Sequence, residues 1–409
     1  MGTFSLEVAV FESRDGRRVV VTGVGVVAPC GIGADAFWAG LARPPAPERI
    51  RRVPDFEPQE WGLTRVEARR LDRFAQFAIA ASGQALADAG LLPEAASGEP
   101  IEPGERVGVL IGSGIGGALS WEQQAIIRHE KGDRSVSPLT VPMVMPNAGA
   151  AAVSMRWHLY GPCETVATAC ATGTHAIGNA ARWIAAGRCD VALAGGAEAC
   201  LTETNLAAFG NMGALSPSGF SRPFDVDRDG FCASEGAGVL LLEEAEHAAA
   251  RGARVYAEVA GSASTADGHH LTAPAPGGRG ALACMRCAIE DAGLSPVDIT
   301  HVNAHGTSTP LNDATEAQVV SELMPHRPPV TAVKGVTGHS LGGAGGIEAV
   351  ALALSYARRE LPPTMGTATI DPVCDIDVVL SPRPWEPGPA LSNSFGFGGL
   401  NGTLVFRPL

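Results

Sequence analysis

A layered α/β fold is what this 409-residue chain predicts. Short runs of apolar, β-rich residues alternate with alanine-rich helical stretches, as layered sheets and helices require. Glycine is abundant, at 51 residues, which suits closely packed layers rather than disorder. A strand-then-loop pattern in the first half also has a weak echo in the second. Arg18 to Thr22, with three consecutive valines, reads as a buried strand, and Arg73 to Gly90 reads as a helix. Val107 to Ile111 is the next buried strand. Glu164 to Ala167 is strand-like and leads into Cys170, Thr174 to Ala186 is helical, and Asp190 to Gly196 is a buried strand followed by a loop. The echo pairs Val107 to Gly112 and the Cys170 segment with Ile299 to His305 and the His339 segment.

Composition narrows the function classes. Hydrophobic residues make up 45% and charged residues 18%, ample for a large core in a cytosolic enzyme. Forty-three acidic against 30 basic residues give a net charge of −13, which argues against nucleic acid as a partner. Glu7, Glu12, Arg14, Asp15, Arg17 and Arg18 interrupt the N-terminal stretch, so it reads as neither signal peptide nor anchor, and no run of about 18 apolar residues predicts a membrane span. Nine cysteines without a regular framework read as reduced thiols. Cys284 and Cys287 form a C-x-x-C in an alanine-rich helical pattern with no second ligand pair nearby, which favours helix packing over metal or redox use.

The chemistry concentrates in four small-residue frames: Thr168 to Gly173 around Cys170, Asn303 to Pro310 around His305, Lys334 with Thr337 to Gly342 around His339, and Asn393 to Gly399 around Phe397. A lone Cys between alanines is ordinarily a small buried hydrophobe, and a lone His a satisfied core residue. Here a strand-like run leads into Cys170 and a helical pattern leads out. That places the thiol at a helix N-terminus, where the dipole and free N–H groups lower its pKa. His305 and His339 fall in Gly/Thr-rich turns after apolar runs, where catalytic groups concentrate. The glycines around Phe397 let backbone pass close to a substrate and present N–H groups to an oxyanion.

Together these frames resemble the β-ketoacyl-acyl-carrier-protein synthases, the elongating condensing enzymes of fatty-acid and polyketide synthesis, from about Arg18 to Phe406. The resemblance implies a thiolase fold: two similar α/β halves stacked as five layers, α-β-α-β-α. The halves are expected at residues 18–260, with the nucleophilic Cys, and 261–409, with the two His, after a leader of residues 1–17. It implies that Cys170 takes an acyl group from a carrier protein and that a malonyl unit on a second carrier is decarboxylated and attacks it. His305 and His339 would stabilise charge on the malonyl thioester oxygen, and the N–H groups of Cys170 and Phe397 would form the oxyanion hole. Lys334 would orient and support the second histidine, and Glu316 and Glu348 would hold the network. Thr307, Thr309 and Thr272 match positions on the phosphopantetheine arm. Phe397 would also swing as a gate against Asp267 to Thr272, where Gly268 replaces a commonly larger residue. Ile115, Leu139, Thr140 and Phe397 would line the acyl pocket, with the small Leu139 and Thr140 leaving its floor roomy at a subunit interface. Arg65, Arg69, Arg70 and Arg134 would dock the carrier.

No metal and no cofactor of its own is expected, since substrates arrive on the carrier's phosphopantetheine. Thiolases and starter-type condensing enzymes share the fold, but the starter type uses a His/Asn pair. A non-catalytic chain-length factor lacks the nucleophile that Cys170 preserves. A metal-dependent hydrolase would need a ligand cluster that is not spaced here, and a scaffold would not need Cys170, His305 and His339 together. Arginine-for-lysine usage and the Ala214 to Pro223 loop resemble actinobacterial enzymes of secondary metabolism. The partner is then a chain-length factor, or a second copy of the chain if the enzyme elongates fatty acids, and the location cytoplasmic.

Overall fold

A computed structural model describes residues 16–409. Residues 1–15, most of the expected leader, lie outside the described residues. The first half contains β1 (Val19–Ala28), α1 (Arg73–Asp88), β2 (Val107–Gly112), β3 (Cys163–Glu164), α2 (Thr172–Ala185), β4 (Val191–Glu198) and β5 (Gly236–Glu244). β6 (Ala257–Ala266) leads into α3 (Arg279–Asp291), β7 (His301–Asn303), α4 (Pro310–Leu323), β8 (Pro329–Thr331), α5 (Ala344–Arg358), β9 (Asp377–Val378), β10 (Ala390–Gly396) and β11 (Leu400–Arg407).

Strand order is β9-β8-β7-β10-β11-β6-β1-β5-β4-β2-β3. Two half-sheets meet where β1 pairs with β6 through Val20↔Glu258 and Val21↔Ala257. The expected division at residues 260 and 261 falls within β6, which pairs with β1 at its start and with β11 along its length. α1 covers the outer face of the first half-sheet, packing on β1, β4 and β5, and α3 covers the second, packing on β6 and β11. α2 and α5 touch each other and strands of both halves, so they form the middle layer. α5 is accordingly buried continuously from Ala344 to Tyr356, as a helix covered on every side must be. These are the five layers that the resemblance implies.

Glycine makes the layers fit. A Cβ on Gly346 of α5 would lie 2.1 Å from the Gly238 carbonyl oxygen of β5, so the middle helix rests backbone on backbone against the sheet. One on Gly25 would lie 1.9 Å from the Ala81 oxygen of α1. That contact corrects the first strand: β1 continues past Thr22 through Gly23 and Gly25, because glycine here admits a helix instead of ending a strand. A second correction concerns Glu164 to Ala167. The ladder ends at Glu164, and Thr165 turns its hydroxyl onto the Ile111 carbonyl at 3.0 Å as the chain bends toward Cys170. Among the described residues no helix is long and apolar enough to cross a membrane.

Parallel pairing sets the site. β7 runs parallel to β8 and β10, and β2 runs parallel to β4. The segments leaving the carboxyl ends of β7, β8 and β10 carry His305, Lys334 and Phe397, the position at which open α/β sheets gather ligands.

Candidate active site

Cys170 sits in a single 3-10 turn, Ala169–Ala171, directly before α2. Ala169 has φ +50°, a left-handed conformation that costs a non-glycine residue about 1–2 kcal/mol and sharpens the entry into the helix. Two hydrogen bonds fasten the bend: Thr168 N–H to Thr172 Oγ1 at 2.8 Å and Ala171 N–H to Thr168 O at 3.1 Å. Cys170 is 3% exposed, and its Sγ lies 3.0 Å from His339 Nε2. The N–H groups of Phe397 and of Cys170 itself both face the sulfur. The expected fall in thiol pKa does not occur. Burial pushes it up to about 11, because the loss of water outweighs the two N–H groups and the Lys334 charge that favour the thiolate.

His305 follows β7 in a turn held from beneath by Glu316 of α4. The carboxylate accepts the N–H of His305 at 2.8 Å and of Gly306 at 2.9 Å, so it clamps the turn as well as the network. Asp313, one helical turn earlier, accepts Ser308 N–H at 3.1 Å and Phe224 N–H at 2.8 Å. Lys334 is buried and donates to the His305 carbonyl at 2.6 Å, to His305 Nδ1 at 3.2 Å and to the Glu348 carboxylate. Its direct contact is thus with His305, the first of the two site histidines, and not with His339, the second, as expected. The reason is topological: β8 lies beside β7, which brings Lys334 under the His305 turn.

Both histidines present Nε2 to the thiol region. An ammonium only donates, so His305 Nδ1 accepts and Nε2 carries the proton. His339 Nδ1 is buried without a partner. A buried lone pair left unpaired costs less than a buried N–H, which places the His339 proton on Nε2 as well. Burial, aided by the Lys334 charge, holds both imidazoles well below the ordinary histidine range, so they are neutral at neutral pH. Their rings meet edge to face at 5.5 Å, with Phe231 5.2 Å from His339 and Phe395 6.0 Å from His305. The ligand atoms of Cys170, His305 and His339 all lie within 4.8 Å of one another. One sulfur and two imidazoles are also a zinc-type donor set, but the fixed Lys334 charge against His305 opposes a dication there.

A cavity of about 360 Å³ runs from exposed Leu311 and Thr272 down to Cys170, His305, His339 and Phe397. Thr307 and Thr309 line it, with hydroxyls 2.9 Å apart. The Phe397 loop is laced to the segment expected to face it: Gly398 N–H to Leu271 O at 2.7 Å, and Asp267 N–H to Gly399 O at 2.8 Å. Gly268 adopts φ +55°, so a glycine suits the backbone of this segment where a larger residue is common.

Other candidates lie apart. Ile115 and Leu139 are exposed, Thr140 is buried with its hydroxyl on Ser137 O at 2.7 Å, and none of them lines the cavity. Arg65, Arg69, Arg70 and Arg134 are exposed outside it. Arg65 lies in a single α-helical turn, Arg65–Ala68, closed by a Thr64/Glu67 capping box, and Arg134 in a 3-10 turn, Asp133–Ser135, so Arg65, Arg69 and Arg70 do not share one helix. Burial raises Glu316 and Glu348 to about 7 each. Glu198, not singled out in the sequence, is raised to about 7 by burial and accepts from Ser113 Oγ at 2.9 Å, Gly114 N–H at 2.7 Å and Gly342 N–H at 3.2 Å. It ties the loops behind Cys170 together. Its signal was present, an acid ending the apolar run Val191 to Ala197. A buried, protonated thiol predicts that alkylation of Cys170 by iodoacetamide, followed by peptide mass, keeps accelerating with pH beyond about 9. A plateau already reached at about pH 7 would contradict it.

Comparison with known proteins identifies the family and the fold. Residues 45–248 match the family model "Beta-ketoacyl synthase, N-terminal domain" and residues 256–368 match "Beta-ketoacyl synthase, C-terminal domain". The chain is 42% identical to 3-oxoacyl-[acyl-carrier-protein] synthase 2 of Synechocystis sp., over 96% of this chain and 98% of that protein. It is 41% identical to the protein of the same name from Rhizobium meliloti, over 96% and 99%. Among solved structures, the ishigamide ketosynthase/chain length factor superposes with TM-score 0.87 at 33% identity, covering 96% of this chain and 99% of that one. A complex of a type II PKS acyl-carrier protein with its ketosynthase gives TM-score 0.85 at 32% identity, with coverage of 96% and 99%. With its thiolase fold and its buried thiol beside two imidazoles, the chain belongs to the β-ketoacyl synthase family of condensing acyltransferases.

Proposed function

We propose that Cys170 carries the growing acyl chain and that His305 and His339 serve the malonyl half-reaction. The observation that carries this reading is the convergence of Sγ and two neutral imidazoles at the foot of one cavity. Sγ adds to the thioester carbonyl of an acyl carrier, and the N–H groups of Cys170 and Phe397 hold the resulting oxyanion. Collapse breaks the carrier's C–S bond, and the departing thiolate takes the proton that Cys170 gives up. A malonyl carrier then occupies the cavity. Its carboxylate leaves as carbon dioxide, and the electron pair goes to an enolate whose oxygen accepts from the two Nε2–H groups. The enolate carbon attacks the acyl carbon, and the Cys170 C–S bond breaks; the sulfur leaves as a thiolate and takes up one proton from water to restore the thiol. Lys334, with Glu348 behind it, fixes the His305 tautomer, and Glu316 fixes its turn. Thr307, Thr309 and Thr272 hold the phosphopantetheine arm, so the chain needs no cofactor of its own. Intact-mass and decarboxylation assays test the assignment: His305→Ala and His339→Ala accept an acyl group but extend it about 10²–10³-fold more slowly, and Cys170→Ala does neither. Near wild-type extension by either histidine variant would refute its role.

The carrier docks, on this reading, at Arg65, Arg69, Arg70 and Arg134, whose exposed guanidiniums offset the chain's overall acidity for an acidic partner. Reversing Arg69 and Arg70 to Glu raises the KM for the carrier and leaves kcat little changed; an unchanged KM removes the patch.

We further propose a cytoplasmic ketosynthase subunit of a type II polyketide or related secondary-metabolite system, paired with a chain-length factor. The identity to 3-oxoacyl-[acyl-carrier-protein] synthase 2 proteins favours a second reading, a homodimeric fatty-acid elongation enzyme. Either partner would cover the exposed Trp121, Ile126, Leu139, Val141 and Met145, and would continue the acyl pocket past Ile115, Leu139 and Thr140. Native mass of the purified chain decides the pairing. A stable, elongating homodimer refutes the chain-length-factor reading, and a persistent inactive monomer refutes the homodimer.

A further inference from the structure

Arg51 ends the two-residue strand Ile50–Arg51, which pairs in parallel with Ala233–Ser234. It is 5% exposed, and among the described residues no carboxylate oxygen lies within ion-pair distance of it. Burying a cation without a carboxylate costs several kcal/mol unless other groups answer it. Here backbone answers one side of the guanidinium: Nη1 donates to the carbonyls of Gly335 at 2.7 Å and Val336 at 2.8 Å, while Nη2 is buried without a hydrogen-bond partner among the described residues.

Those carbonyls belong to the single-turn helix Lys334–Thr337. A helix this short leaves most of its carbonyls without internal partners, and they form the negative end of its dipole. The helix begins at Lys334, which holds His305, and passes through Gly338, at φ +69°, into His339. The segment beside Arg51 holds His339 through both its backbone groups, His339 N–H to Cys232 O at 2.8 Å and Ser234 N–H to His339 O at 3.1 Å. Opposite, a Cβ on Gly335 would lie 1.7 Å from Met365 O, so the helix is already seated against another backbone. Arg51 therefore binds the back of the segment whose front carries Lys334 Nζ and His339 Nε2, and it spans the two backbone pieces that fix their separation.

We propose that Arg51 is a positioning residue for the extension half-reaction, holding Lys334 and His339 in register through the Gly335 and Val336 carbonyls. The proposal rests on the roles given above to those two residues. A hydrophobic side chain of similar length would fill the space but release the carbonyls. Displacing a reacting group by about 1 Å costs on the order of a hundredfold in rate. The thiol turn is held separately, by Thr168 and Thr172, so acyl transfer to Cys170 depends less on Arg51.

The test measures both half-reactions in the full-length Arg51→Met and Arg51→Lys variants, with His339→Ala as reference. Arg51→Met is expected to lower kcat for malonyl decarboxylation and extension about ten- to a hundredfold. The KM for the malonyl carrier and the rate of Cys170 acylation stay near wild type, and Arg51→Lys, which still donates to the carbonyls, recovers part of the loss. A structural role alone would lower both half-reactions by one factor, in step with the folded fraction. Parallel loss, or no loss, overturns the proposal. If Arg51→Met does not fold, Arg51→Lys decides: a smaller split in the same direction supports positioning, and parallel change overturns it. If His339→Ala extends normally, the reading of His339 falls and this proposal with it. If His339→Ala separates the half-reactions and Arg51→Met does not, only the role of Arg51 falls.

Discussion

The buried Lys334 ammonium is the constraint around which this site is arranged. At 1% side-chain exposure it has lost its water and must find its partners within the protein. It finds the Glu348 carboxylate from the middle helix α5, the His305 carbonyl and the His305 ring. These contacts come from the turn after β7 and from α5, while Lys334 itself follows β8, so the charge cannot be satisfied unless β7, β8 and α5 are correctly assembled. The same contacts decide the His305 tautomer, which makes a folding requirement and a chemical requirement one interaction. Removing Glu348 alone would leave a buried cation unpaired, whereas losing a peripheral arginine would merely expose water to water.

Backbone strain gathers around this centre. Ala169, Ser308 and Leu341 all adopt positive φ, at +50°, +67° and +46°, although none is glycine. Each costs about 1–3 kcal/mol and persists only where the surroundings overdetermine the conformation. The surroundings here are visible: Thr172 and Phe397 at the first bend, Asp313 at the second, Glu198 with Gly342 at the third. Asp313 and Glu198, which a composition count treats as surface charge, are thus internal braces, as Glu316 is beneath the His305 turn. Burial also explains why Glu198, Glu316 and Glu348 rise toward 7; Glu198 and Glu316 are held by the N–H groups they accept, and Glu348 by the Lys334 ammonium.

The sequence disclosed the layers and the residues that gather in the candidate site more readily than their wiring. Continuous apolar runs such as Val107 to Ile111 mark buried strands because both faces are covered, and no tertiary detail overrides that signal. Small-residue frames mark Cys170, His305 and His339 because backbone must approach substrate closely there. What spacing cannot disclose is the partner across the sheet. Lys334 and His339 are neighbours in sequence, yet Lys334 contacts His305, since strand order and not chain order sets the pairing. Arg51 and Glu198 were hidden for the same reason, their partners lying 284 and 144 residues away. β1 runs past Thr22 because Gly23 and Gly25 seat α1 backbone against the strand, a contact that only the layering shows.

The largest departure, the thiol pushed up rather than down, follows from the dryness that makes the rest of the site effective. A helix N-terminus offers a thiolate about 0.3–1 kcal/mol at a wet surface. Full burial penalises the anion by more, and the two N–H groups facing Sγ do not make up the difference. The same dry cavity keeps His305 and His339 neutral, so they can donate to an enolate but cannot exchange a full charge with it. Hydrogen bonds from neutral donors gain strength as water is excluded. A site that relied on a resting thiolate and imidazolium would have to stay wet to tolerate them, and its donors would then be weak. Charge is instead confined to Lys334 and its carboxylate, and on the proposed mechanism Cys170 and the two imidazoles meet each substrate uncharged and become polarised only as the reaction requires.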